Sequence, residues 1–107
     1  MSKNKFLESN KQKFLTFVHS SDLHLDSTFL GMSEINSDLG EQLFNSTFQA
    51  YDSIVNFCIE KNVDFLLIAG DVYESANKSL YAQLRFLDGL RKLDAAGISV
   101  YLSLIHI

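Results

Sequence analysis

Apolar and polar residues are arranged along this chain with periods that change from block to block, and the changes mark its elements. Leu15-Thr16-Phe17-Val18-His19 is a short β-prone run stopped by the polar Ser20-Ser21-Asp22, which predicts a first strand. Residues 20–40 hold three Asp, two Gly and six Ser or Thr, and predict a long loop of the kind that carries function or stays mobile. From Glu41 to Lys61, the residues Phe44, Phe48, Tyr51, Val55 and Cys58 recur at steps of three and four, one face of a helix. Asn62 suits the left-handed position that ends such a helix. The run from Asp64 to Ala69 is almost continuously apolar and closes on Gly70-Asp71. A strand apolar on both faces belongs in the middle of a parallel sheet covered by helices. A second helix is predicted over 79–96, with Leu80, Leu84, Leu87, Leu90 and Leu93 on one face and Gly97 as its stop. Ile98 to Leu102 completes the pattern as a third strand.

The order β-α-β-α-β predicts an α/β fold with a parallel sheet and right-handed crossovers. Residues 1–13 are polar, Lys-rich and without period, and we read them as a lead-in to a domain over 14–101.

Composition narrows the choice of function. With 107 residues, 47% hydrophobic and 21% charged, the chain suits one globular domain and is too apolar for a disordered one. Nine Lys and Arg against thirteen Asp and Glu give a net charge of -4, which excludes a broadly basic nucleic-acid footprint. Phosphate contacts through metal ions held by the acidic groups stay open. The single Cys58 falls in the first helical face and reads as a buried structural thiol. No apolar run approaches the roughly 18 residues of a membrane span, and the start lacks a signal-peptide core. We therefore expect a cytoplasmic protein with no membrane contact.

In open parallel α/β sheets, ligands bind beyond the carboxyl ends of the strands. Two of the predicted strands end there in acid-bearing loops, Asp22-Leu23-His24-Leu25-Asp26 and Gly70-Asp71-Val72-Tyr73-Glu74. In an extended segment an Asp-x-His step puts a carboxylate and an imidazole on the same side. A hard oxygen and a borderline nitrogen suit Mn²⁺, Fe²⁺, Zn²⁺ or Co²⁺ better than Ca²⁺. Asp71 arrives from the neighbouring strand, with Gly70 letting the backbone pass close by. From there it could bridge two ions roughly 3.5–4 Å apart, the arrangement that clamps a phosphoester and activates a water.

These blocks, Phe17-Val18-His19-Ser20-Ser21-Asp22-Leu23-His24-Leu25-Asp26 and Phe65-Leu66-Leu67-Ile68-Ala69-Gly70-Asp71-Val72-Tyr73, resemble the first two motif blocks of calcineurin-like metallophosphoesterases. Within that superfamily they are similar to the DNA-repair exonuclease branch, the SbcD- and YhaO-like nucleases, as are Gln83 to Leu90 and Ala95 to Tyr101. The resemblance runs from Phe14 to Tyr101. It implies a portion of a four-layer α/β/β/α fold, with Asp22 and His24 on a first metal and Asp71 bridging both. It implies Mn²⁺-dependent hydrolysis of DNA phosphodiesters, with two divalent ions as cofactors, DNA as substrate and an SMC-type ATPase as partner. In the family a Gly-Asn-His-Asp/Glu block follows the third strand, and later histidines complete the second metal site and protonate the leaving group. Here Ser103-Leu104-Ile105-His106-Ile107 stands in that place without Gly-Asn, so His106 is not read as the missing ligand. We expect an incomplete and inactive front part of such an enzyme, with no general acid among its residues. The last six residues back-translate to CTG-TCT-CTT-ATA-CAC-ATC, the end of a transposase adapter used in sequencing libraries. We therefore expect the native frame to end at Tyr101, with 102–107 a non-native tail.

Other residues carry lesser expectations. His19 reads as a hydrogen-bonded support for the loop, and Asp26 as a candidate to hold the second ring nitrogen of His24. Glu74 reads as a surface carboxylate ahead of a helix start, Tyr73 and Phe29 as packing, and Arg85, Arg91 and Lys92 as a solvated face. Two other readings stay open: a non-catalytic α/β metal-binding or interaction module, and a phosphatase of the same superfamily.

Overall fold

The computed structural model describes residues 14–25, 37–73 and 79–103. Asp26, Phe29, Glu74 and His106 lie outside them. Five elements follow one another: β1 (Phe17–Ser21), α1 (Ser37–Lys61), β2 (Phe65–Ala69), α2 (Leu80–Ala95) and β3 (Ser99–Ser103). The three strands form one parallel sheet in the order β1-β2-β3, with Phe17 opposite Phe65 and Phe65 opposite Ser99. The α/β class and the central place of β2 are as expected.

β1 starts two residues later than its apolar run and takes in Ser20 and Ser21, the polar residues expected to stop it. Pairing decides this, because Ser20 and Ser21 stand in register with Ile68 and Ala69 of β2, and a hydroxyl does not interrupt a ladder made by the backbone. Just before β1 and β2 the two segments are clipped together. Asp64 donates its N–H to the Thr16 carbonyl at 2.7 Å, and Thr16 donates its own to the Asp64 carboxylate at 2.8 Å. β3 runs two residues past Tyr101, through Leu102 and Ser103, which pair with Ile68 and Ala69.

α1 begins at Ser37, four residues ahead of its apolar period, in a polar first turn where Asp38 meets the positive end of the helix dipole. Both helices end in the same way. Asn62 (φ 52°) and Gly97 (φ 80°) take the left-handed conformation. Their N–H groups donate to the carbonyls of Ile59 and Asp94, and the next residues, Val63 and Ile98, donate to Cys58 and Leu93. This is the Schellman closure, and all four residues of its two apolar contacts are buried. At the other end of α2, Ser79 caps the helix by accepting from the Ala82 N–H at 3.1 Å.

The core gathers Phe48, Tyr51, Val55 and Cys58 of α1, Leu66 and Ile68 of β2, and Ala82, Phe86 and Leu93 of α2. Cys58 is fully buried and burial pushes its thiol above the usual range, in keeping with a structural role. The α1 face is as expected; of the expected α2 row only Leu90 and Leu93 pack on the core. Leu80, Leu84 and Leu87 are exposed at 70%, 55% and 39%, and the buried side carries Ala82, Phe86, Gly89 and Leu93. The two rows lie two positions apart, about 200° around the helix, so both satisfy the same period. Close approach chooses between them. Gly89 leaves room for the Tyr51 ring, whose hydroxyl donates to the Phe86 carbonyl at 2.7 Å.

Arg85 also departs from the expected solvated face. Its Nη2 lies 2.6 Å from Asp52 Oδ2 on α1, its Nη1 donates to Tyr81 Oη at 2.6 Å, and its guanidinium stands 5.0 Å from the Phe48 ring centre. The stem and fork strap α2 to α1. Arg91 and Lys92 are exposed as expected. Helices cover only one face of the sheet among the described residues. The other carries Phe17, stacked on Phe65 at 4.8 Å, and Tyr101, edge-on to Phe65 at 5.5 Å. Covering on both faces of β2 is therefore not seen.

Candidate metal centre

The sheet hands its order on to the two loops that leave it. Past the end of β1, Asp22 donates its N–H to the Ala69 carbonyl at 2.9 Å, His24 to Asp71 at 3.2 Å and Leu25 to Val72 at 2.8 Å. Leu25 and Tyr73 then form a parallel bridge with the same offset of 48 residues that Ser21 and Ala69 have inside the sheet. The loops are thus tied to each other in register. Leu25 and Val72 anchor them from below, at 0% and 6% exposure, so the residues between them are held on fixed backbone.

On that backbone Asp22, His24 and Asp71 come together. One ligand atom from each lies within 4.8 Å of the others, and His24 Nε2 stands 4.0 Å from Asp22 Oδ1. Asp71 donates its backbone N–H to Asp22 Oδ1 at 3.1 Å, which links the two carboxylate-bearing residues directly. The Asp22 and His24 side chains keep 55% and 41% of their surface in solvent, open to an ion and to a substrate behind it.

The means by which Asp22 and His24 meet differ from the sequence argument. An extended Asp-x-His step was expected to place them on one side, but both residues take positive φ, 55° and 48°. Left-handed backbone is uncommon outside glycine, with Asp and His among the side chains that enter it more readily. Two such residues two positions apart mark a segment whose conformation is imposed by its surroundings. The surroundings here are the ladder bonds to Ala69, Asp71 and Val72.

The donor set fits a divalent transition ion. Two carboxylate oxygens and one imidazole nitrogen are ligands such ions accept. Ligand atoms about 2.1 Å from one ion lie at most about 4.2 Å apart, so the exposed carboxylates have only a short way to close. His19 is exposed on β1, opposite Leu67 in register, and does not belong to the trio. Asp26, the other outer candidate, lies outside the described residues. Tyr73 is half-buried with its ring 6.0 Å from Phe86, a packing role as expected. Sequence reasoning missed the bridge at Leu25 and Tyr73, for which the apolar positions flanking both motifs were the available signal.

No protein-family model matches the chain. It is 41% identical over 87 residues to the uncharacterized metallophosphoesterase YhaO of Bacillus subtilis, which takes in 81% of this chain and 21% of that protein. It is 31% identical over 88 residues to the DNA double-strand break repair protein Mre11 of Methanococcus maripaludis, 82% of this chain and 22% of the relative. Against the protein of the same name from Methanosarcina mazei it is 29% identical over 79 residues, 74% of this chain and 12% of the relative. The chain thus spans about a fifth or less of the length of these curated relatives. With a parallel sheet whose strand ends bring carboxylates and an imidazole together, the chain is similar across most of its length to part of a metallophosphoesterase, and DNA-repair proteins are among the relatives it matches.

Proposed function

We propose that Asp22, His24 and Asp71 form the metal-binding part of a centre that hydrolyses phosphodiester bonds in DNA, with Mn²⁺ the favoured ion and Asp71 shared between two ions. The observation that carries this reading is the approach of the three ligand atoms to within 4.8 Å on loops joined by backbone hydrogen bonds. Similarity to a metallophosphoesterase favours divalent ions, and relatives that carry the name of a DNA double-strand break repair protein favour DNA as the substrate. When bound, a pair of such ions clamps the phosphoester oxygens and supplies an activated water. The residues of this chain fix where that happens. Asp22 is oriented by the Asp71 N–H on one oxygen, and His24 is held by its own N–H on the Asp71 carbonyl.

Three ligands do not complete two metal sites, and the resemblance implies that the group protonating the leaving oxygen belongs to later blocks of the family. The 107-residue chain by itself is therefore expected to cleave linear duplex DNA negligibly. An SMC-type ATPase partner and a cytoplasmic location belong to the same proposal. Among the described residues no helix is long and apolar enough to cross a membrane.

The test begins with the source DNA, read through the codon for Tyr101 by a method that uses no transposase. The frame is expected to run on into a Gly-Asn-His-Asp or Gly-Asn-His-Glu block. The protein made from that frame is expected to degrade linear duplex DNA with Mn²⁺ and to lose this activity in Asp71→Asn. Cleavage that survives Asp71→Asn would overturn the reading. Release of phosphate from monoesters with no action on DNA would favour a phosphatase instead.

A further inference from the structure

Gly70 stands between β2 and Asp71, buried, with φ 81°, and its surroundings differ from those of Gly97, which is also left-handed. A Cβ built on Gly70 would overlap Asp22 Oδ1 and come within 2.9 Å of Asp22 Cγ, and its next neighbour is the Asp22 N at 3.4 Å. A Cβ on Gly97, at φ 80°, would meet nothing within 4 Å. Gly70 has no freedom to move aside. Its N–H donates to the Ser103 carbonyl at the end of β3 at 2.9 Å, and the residues on either side of it bond to Asp22.

We propose that Gly70 is a positioning residue for the metal centre: the space left by its missing side chain is the seat of the Asp22 carboxylate. The proposal rests on the metal-binding reading above. The atoms in the way of a methyl group belong to the free end of an aspartate side chain, which can rotate toward solvent without disturbing the sheet. A methyl at position 70 therefore expels the carboxylate and breaks its bond to the Asp71 N–H, leaving the fold in place.

The experiment compares Mn²⁺ binding and thermal melting for the wild-type chain, Gly70→Ala and Gly97→Ala, with uptake followed by loss of the free-ion signal in electron paramagnetic resonance. Both alanines carry the strain of left-handed backbone, so both are expected to lower Tm to a similar extent. Only Gly70→Ala is expected to weaken Mn²⁺, by about ten- to hundredfold, the range seen when a metal ligand loses the group that orients it. Because a misfolded variant would also lose the ion, Asp22→Ala is melted with and without Gly70→Ala. With the carboxylate gone, the added methyl is expected to lower Tm no more than Gly97→Ala does. Equal Mn²⁺ affinity in Gly70→Ala and wild type overturns the proposal while the metal reading stands. A Tm loss in the Asp22→Ala background well beyond that of Gly97→Ala also overturns it, by showing that the glycine serves the fold. No uptake by the wild-type chain removes the metal reading and this proposal together.

Discussion

Asp71→Asn is expected to lower the Mn²⁺ affinity of this chain by at least about ten- to hundredfold, with no fall in thermal stability. The loss is set against the smaller change of removing a group that only orients a ligand, which already has that effect. Asn keeps the shape of Asp and the backbone N–H that donates to Asp22 Oδ1, so the loops have no reason to part. What changes is charge and ligand strength. The trio falls from two carboxylates to one, and a carboxamide oxygen is a weaker ligand for a hard cation. Without metal, two carboxylates in so small a space repel each other, so the ion-free variant is expected to melt at or slightly above the wild-type temperature. Titration calorimetry with Mn²⁺ and a melt in chelator separate the two effects. Affinity unchanged by the substitution would remove Asp71 from the centre.

The second large effect lies in the core and runs against helix propensity. Gly89 is in the interior of α2, where Ala is ordinarily better by about 0.5–1 kcal/mol. Gly89→Ala is nevertheless expected to destabilise. A Cβ there would overlap the Tyr51 hydroxyl and come within 2.5 Å of Cζ and 2.6 Å of Cε2, all parts of a fully buried ring. That ring cannot swing out to solvent as an aspartate tip can, and its hydroxyl is tied to the Phe86 carbonyl. Overpacking of this kind costs about 1–3 kcal/mol, enough to cancel the propensity gain and to lower Tm by several degrees. Tyr51→Leu is expected to lose stability alone and to make Gly89→Ala nearly neutral when the two are combined, a coupling that a double-mutant cycle reads directly. A higher Tm in Gly89→Ala would mean that the helices do not approach as closely as described.

Different parts of the molecule were legible to different degrees in the sequence, for physical reasons. Element type and order follow from periodicity and stop residues, and Asn62 and Gly97 close their helices at the expected positions. Periodicity alone could not choose the buried side of α2, because Leu80, Leu84 and Leu87 share one repeat with Ala82, Phe86 and Gly89, and Leu93 was right only at the end of the row. The choice depends on how close a partner helix comes, and small residues permit what bulky ones prevent. Arg85 was misplaced for a related reason. Its partner Asp52 lies 33 positions away on α1, beyond the reach of any local pattern.

At the strand ends, the residue types and the pairing of two motifs were enough to single out Asp22, His24 and Asp71. The conformation that joins them was not readable. Positive φ at Asp22 and His24 is imposed by the neighbouring segment, through hydrogen bonds to Ala69, Asp71 and Val72 that no local rule anticipates. The uncovered face with Phe17, Phe65 and Tyr101 follows from topology, since strands in the order β1-β2-β3 with packed connecting helices place both helices on one side.

The most direct test of the metal centre is anomalous X-ray diffraction from crystals of the chain soaked in Mn²⁺. The expected result is a peak about 2.0–2.3 Å from carboxylate oxygens of Asp22 and Asp71 and from a ring nitrogen of His24, absent in crystals of Asp71→Asn. A peak held by other residues, or none at these three under conditions where the ion is taken up, would contradict the account.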